Sequence, residues 1–254
     1  MPVPSRQALD EIHRSLRGSV EDLLQPGPKA APLPKLFAQA IDDGLVSSSV
    51  VRIKGKLSSL VSEEVVVVMK VHRMVNGKKV ARPAGYELAW HGTKEQHVRS
   101  ILRHGLKASG EKLSDGSEIA PPSNHYSLGM AHQGIHNWAA AIFVSPSVSY
   151  ASHVCYAERT LYDGEMWAVV MDCAVRTGAF TKHNQTVGGY NTLPGEPDTA
   201  EYRVEVADEC DEQIWRAQKN NDVIVLGCTL IHVGFLEGCE MSYEQLRGKI
   251  SNGA

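Results

Sequence analysis

The chain has 254 residues, 43% of them hydrophobic and 22% charged, with a formal net charge of −3 and a pI near 6.4. These values suit one large globular domain with a small appendage and exclude wholesale disorder, and they carry no strong nucleic-acid signal. No run approaches the roughly eighteen apolar residues of a membrane span, and the opening residues lack the apolar stretch of a secretory signal.

Residues 5 to 24 place Leu9, Ile12, Leu16, Val20, Leu23 and Leu24 at helical spacing. The Pro-rich "QPGPKAAPLP" breaks that helix, and "LPKLFAQAIDDG" predicts a second one that Gly44 stops. Residues 1–50 are thus expected to be a helical N-terminal appendage, and 51–254 the main domain. Strands begin with "EEVVVVMKVHRMV", and "NGKK" behind it is a hairpin turn. "YELAWHGT" is the next strand. It runs straight into a helix, for which Thr93 and Gln96 make a capping box, Val98, Ile101 and Leu102 the apolar face, and Gly105 the stop.

Residues 107 to 138 are polar and rich in Gly, Ser, Pro and His, as in a long functional loop. Strand-like "AAIFVSP" follows, then a helical "SVSYASHVCYAERTL". Further strands are predicted at "MWAVVMDCAVR", "AEYRVEV", "EQIWRA" and "DVIVLGCTLIHVGFL". The class is α+β, mixed and strand-dominated.

Five cysteines sit in no CxxC pair and read as reduced thiols of an intracellular protein, cytoplasmic or nuclear. His125, His132, His136 and His153 with Cys155 can be drawn as a zinc set, but no HExxH or CxxC anchors them, so no metal is expected. The glycines form neither GxGxxG nor a P-loop, which disfavours a doubly wound nucleotide fold.

The order of His91-Gly92-Thr93, "IFVSPSVSYA" and a late glutamate resembles the PARP-like, His-Tyr-Glu branch of the ADP-ribosyltransferases, over roughly residues 60 to 236. In that branch one strand ends in His-Gly-Ser/Thr, another leads to Ser-x-x-Tyr, and a glutamate opens a late strand. The resemblance implies two antiparallel-type sheets around a cleft for NAD, which serves as co-substrate. His91 would bond a ribose hydroxyl, and Gly92 would meet the nicotinamide carboxamide through its backbone, with Thr93 beside it. Phe143 would wall the ring, Ser147 would meet the carboxamide, and Tyr150 would stack on the pyridinium. Phe143 stands in a run where the family carries tyrosine; a second alignment gives Tyr150 that place.

The catalytic carboxylate is Glu212 or Glu201. Glu212 opens "EQIWRA" and is preferred, because some relatives carry an "AEY" strand upstream of the catalytic one; Glu201 opens "EYRVEV". Residues 107–138 would correspond to the loop over the NAD cleft. The expected activity is cleavage of the nicotinamide–ribose bond and transfer of ADP-ribose to an acceptor: a protein first, otherwise an ADP-ribose chain, a nucleic acid or a small molecule. The alternative is a catalytically inactive module of the same fold that binds NAD, ADP-ribose or a partner protein.

Overall fold

The computed structural model describes residues 34–57, 63–108, 111, 138, 141–183, 201–205 and 222–238. Helix α1 (Lys35–Asp42) precedes strands β1 (Val51–Gly55), β2 (Val65–His72), β3 (Met74–Val75), β4 (Lys78–Lys79) and β5 (Tyr86–Gly92). Helix α2 (Glu95–His104), strand β6 (Ala141–Val144) and the single turn α3 (Val148–Ala151) come next. Strands β7 (Arg159–Tyr162), β8 (Glu165–Arg176), β9 (Thr181–His183), β10 (Glu201–Glu205) and β11 (Val223–His232) lead to helix α4 (Val233–Gly238). The described chain is strand-dominated with few helices, as an α+β class requires.

The larger sheet runs β1-β2-β11-β8-β5, with β7 also on β8, and every pairing is antiparallel. A second sheet runs β6-β10-β9, again antiparallel. Strands β2, β8 and β11 are buried on both faces, so they read as near-continuous apolar runs instead of alternating ones. On one face Met69, Val71, Met171 and Leu230 pack with Leu36 and Phe37 of α1 and Leu102 of α2. On the other, Val68, Val170 and Ile231 pack with Trp90, Val148 and Phe235.

Helix α1 lies before residue 50, yet its apolar side is part of this core. Asp43, just after it, meets Arg99 and Arg103 of α2 at 2.5 and 3.4 Å. The residues from Lys35 onward form one compact unit. The helix predicted over 5–24, the strand at "EQIWRA" and most of loop 107–138 lie outside the described residues.

The turn at Asn76-Gly77 has positive φ at both residues, 51° and 72°, which is what a two-residue hairpin between β3 and β4 needs. Two expectations change. The stretch "SVSYASHVCYAERTL" is one helical turn followed by tight turns and then β7, because residues 159–162 pair with the start of β8 instead of continuing a helix. Helix α2 starts one residue later than the capping box requires. Its N-cap is Lys94, without a side-chain cap, and the Glu95 amide donates to Glu158 Oε2 at 2.8 Å. Thr93 is drawn off by the sheet: its N–H donates to Val169 O at 3.2 Å and its carbonyl accepts from the Glu158 amide at 3.0 Å. Among the described residues no helix is long and apolar enough to cross a membrane.

Candidate functional site

Among the described residues one backbone bridge joins the two sheets. Trp90 of β5 and Ser145, just after β6, exchange both backbone hydrogen bonds at 2.8 Å. In an antiparallel ladder the next such exchange falls two residues on, between Gly92 and Phe143. It does not form. The Phe143 carbonyl is occupied by His91 Nδ1, at 2.8 Å. The imidazole therefore stands where the Gly92 amide would have donated, and the ladder splits there.

Two consequences follow for β5. A carbonyl only accepts, so His91 Nδ1 carries the proton and Nε2 keeps its lone pair. Burial lowers the pKa of His91, and the bond to Phe143 offsets part of that, so the ring is neutral near pH 7 with Nε2 as an acceptor. The second consequence is at Gly92. The Trp90 backbone points to Ser145 and the Thr93 amide to β8, so alternation aims the N–H and C=O of Gly92 away from β8 and into the split.

Gly92 is also a close-approach glycine. A Cβ built on it would lie 2.1 Å from the Ala151 carbonyl oxygen and 2.7 Å from Tyr156 Cβ. The turn after α3 rests directly on its α-carbon, which no other residue permits.

That turn is held from within. Ser147 is fully buried and N-caps α3, accepting from the Tyr150 amide at 3.0 Å, with Ser149 Oγ 3.3 Å from its hydroxyl. Its own amide donates to Ser145 Oγ at 3.0 Å. Tyr150 is 2% exposed and Glu201, at the start of β10, is 3% exposed. The Tyr150 hydroxyl donates to Glu201 Oε1 and lies 2.7 Å from the Tyr156 hydroxyl; the Tyr156 hydroxyl is 3.3 Å from the same Oε1. The two rings sit 5.1 Å apart, tilted by 53°.

Glu201 reaches this point because β10 pairs with β6, Tyr202 opposite Val144 and Arg203 opposite Phe143. Phe143 is half-buried, with its ring 5.2 Å from that of Trp138. The Arg203 guanidinium lies 5.5 Å from the Trp138 ring, and its Nε donates to the Trp138 carbonyl at 3.1 Å. His153 is partly exposed, and burial and the nearby Arg159 lower its pKa.

The structure thus brings His91, Gly92, Phe143, Ser147, Tyr150 and Glu201 to one split between two sheets. Thr93 sits at its border, buried and bonded to β8 and Glu158. Glu212, the carboxylate that the sequence favours, lies outside the described residues, as do His125, His132 and His136. Among the described residues no three His, Cys, Asp or Glu side chains are grouped to hold a metal.

Tyr156 escaped sequence reasoning as a site residue. Six residues after Tyr150, it would point about 120° away from it on a continuous helix. The two phenols meet only because the helix stops after one turn. No family model matches this chain, and no curated protein matches it.

Proposed function

We propose that the chain is a NAD-dependent ADP-ribosyltransferase of the PARP-like type. The observation that carries the proposal is the convergence at the sheet split: the inward-facing backbone of Gly92, the neutral His91 and the Tyr150–Glu201 pair come from three distant segments. A carboxamide needs one acceptor and one donor side by side, and Gly92 C=O and N–H offer both. His91 Nε2 accepts from a hydroxyl of the adenine ribose.

We assign the catalytic place to Glu201, whose carboxylate accepts from the Tyr150 hydroxyl. It accepts from the 2′-hydroxyl of the nicotinamide ribose, and its charge stabilises the oxocarbenium-like state that forms as the C1′–N bond breaks. The bonding pair leaves with nicotinamide, the acceptor nucleophile bonds to C1′, and its proton is released. The balance is NAD⁺ plus acceptor–H giving ADP-ribosyl-acceptor, nicotinamide and H⁺. A protein side chain is the first acceptor to try.

The test is nicotinamide release from NAD by the full chain, with Glu201→Gln and Glu212→Gln measured side by side. Loss of one electrostatic partner of the transition state costs about 100- to 1,000-fold in kcat. Glu201→Gln is expected to show that loss with NAD affinity little changed, and Glu212→Gln to stay active. The reverse pattern would move the catalytic role to Glu212.

A second reading draws support from the burial of Tyr150 and Glu201 and from Phe143 standing where the family has tyrosine. It is a silent module of the same fold that holds NAD, ADP-ribose or a partner protein. NAD would then raise the melting temperature while no nicotinamide appeared.

A further inference from the structure

The outer edge of β5 runs on into β7. Both strands pair antiparallel with β8, β5 along residues 170–176 and β7 along 165–168. Val169 donates its amide to the Glu158 carbonyl at 3.3 Å and accepts from the Thr93 amide at 3.2 Å, so the odd-numbered residues of β8 bond on this side. Thr160 and Tyr162, opposite Trp167 and Glu165, therefore turn their backbone groups to β8, and Arg159 and Leu161 turn theirs outward. Trp90 and Gly92 do the same on β5. The outward groups of Trp90, Gly92, Arg159 and Leu161 stand opposite residues 172, 170, 168 and 166, one edge with a constant two-residue step. Ser145 takes up Trp90, His91 opens the edge at Gly92, and Leu161 lies about 13 Å further along it.

Strand β7 carries neither the proline nor the bulge that commonly protects a sheet edge. Leu161 is 69% exposed and faces Met166, 40% exposed, across the hairpin. Among the described residues none bonds the Leu161 amide or carbonyl. The opposite face of β7, that of Thr160 and Tyr162, carries carboxylates: exposed Glu158, and Glu165 with 55% of its side chain exposed beside His232. We propose that this edge docks the acceptor as an extended polypeptide segment added to the sheet, with apolar side chains toward Leu161 and basic ones toward Glu158 and Glu165; its role as acceptor rests on the NAD reading above. Outward N–H and C=O groups at a strand's spacing match another backbone, and the carboxylates repel the phosphates of a nucleic acid. Four residues are a short hold, so the apolar pair adds to it. A segment that continues from Leu161 toward Gly92 runs into the split.

The probe is an end-labelled peptide of alternating valine and lysine, offered to the full chain and followed by fluorescence anisotropy without NAD. Leu161→Pro deletes an outward N–H and leaves the bonds to β8 in place, so it should weaken binding about five- to tenfold. Leu161→Ser keeps that amide, loses the apolar contact and should also weaken binding; it serves as the test if the proline variant does not fold. The same peptide N-methylated throughout should not bind. With NAD, labelled ADP-ribose on the peptide should fall in both variants, while nicotinamide release to water and the melting temperature hold. Equal binding by wild type and both variants, or no binding by wild type, overturns the docking edge. A wild-type dimer in sedimentation that Leu161→Pro dissolves overturns the peptide and gives the edge to a second copy. A wild type that releases nicotinamide but never modifies the bound peptide overturns its role as acceptor. A wild type that binds the peptide at this edge and releases no nicotinamide overturns the NAD reading and leaves the docking edge standing.

Discussion

Replacing His91 with alanine tests both the wedge it forms between the sheets and the ribose contact proposed for it. The variant loses one imidazole–carbonyl hydrogen bond, worth about 1 kcal/mol net. It also releases the Phe143 carbonyl, and Gly92 lies in register to take it up. One or two backbone bonds of about 0.5–1.5 kcal/mol each would then replace the one lost. Stability should stay within about 1 kcal/mol of wild type, a melting shift of no more than about 4 °C for a chain of this size. NAD binding loses the Nε2 contact and the inward-facing Gly92 amide together. Two hydrogen bonds at about 1–1.5 kcal/mol each amount to about 30- to 150-fold in Kd. Amide hydrogen exchange reads the closure, with Gly92 N–H becoming protected in the variant. Calorimetry with NAD reads the affinity. A Gly92 amide that exchanges as in wild type, with NAD affinity retained, would refute the wedge. A melting temperature lowered by 10 °C or more would refute it differently, by showing that the imidazole is packing.

Gly92→Ala must move the Ala151 carbonyl from 2.1 Å to at least the 3.0 Å that real Cβ contacts respect, displacing the turn that carries Tyr150 and Tyr156 by about an ångström. We expect about 1–3 kcal/mol of destabilisation, read by urea melts, and loss of nicotinamide release even where the variant folds; wild-type stability would show that the turn does not rest on Gly92. His72 is 7% exposed, and its pKa is lowered to about 4 by burial first, then by Lys70 and Lys79, with Asp172 opposing. A lowered histidine pKa stabilises the fold fully above about pH 6.5, and that contribution fades as pH falls towards 4. About 2–3 kcal/mol should be lost between pH 7 and about pH 4.5, and less in His72→Gln; equal losses in the two proteins would exclude the ring as the cause.

Much of the fold is legible because its strands are extreme. β2, β8 and β11 are largely apolar runs buried on both faces, and Asn76-Gly77 announces its own turn geometry. What failed to show were competitions between local and distant partners. Thr93 has the residue type and spacing of an N-cap, but Val169 and Glu158 claim its backbone, and the first amide of α2 is satisfied by a carboxylate 63 residues away. The stretch after Ser147 has the composition of a helix, yet its second half is worth more as β7 against β8. Glu201 and Glu212 look alike as strand-opening acids. The pairing of β10 with β6, which sets Glu201 beside Tyr150, is not visible in the stretch itself. The site residues carried by motif, His91, Gly92 and Tyr150, were legible as a set, while the hydrogen-bond partners that join them were not.

The adjacency of histidine and glycine has a cause that neither residue shows alone. A ligand that binds through bare backbone needs an N–H and a C=O that are not already spent, and a β-sheet spends nearly all of its own. Such groups appear only where a ladder is interrupted. An interruption inside the protein is unstable unless something satisfies the strand left behind, because an orphaned buried carbonyl costs about 1–3 kcal/mol. His91 supplies that satisfaction from one residue away: it gives Phe143 the donor that Gly92 withholds, and it is too wide to let the strands close. The residue at the split must then be glycine, because the covering turn fills the space that a side chain would occupy. Histidine without glycine would hold the sheets apart over a blocked cleft. Glycine without histidine would close the ladder and bury the groups a carboxamide requires.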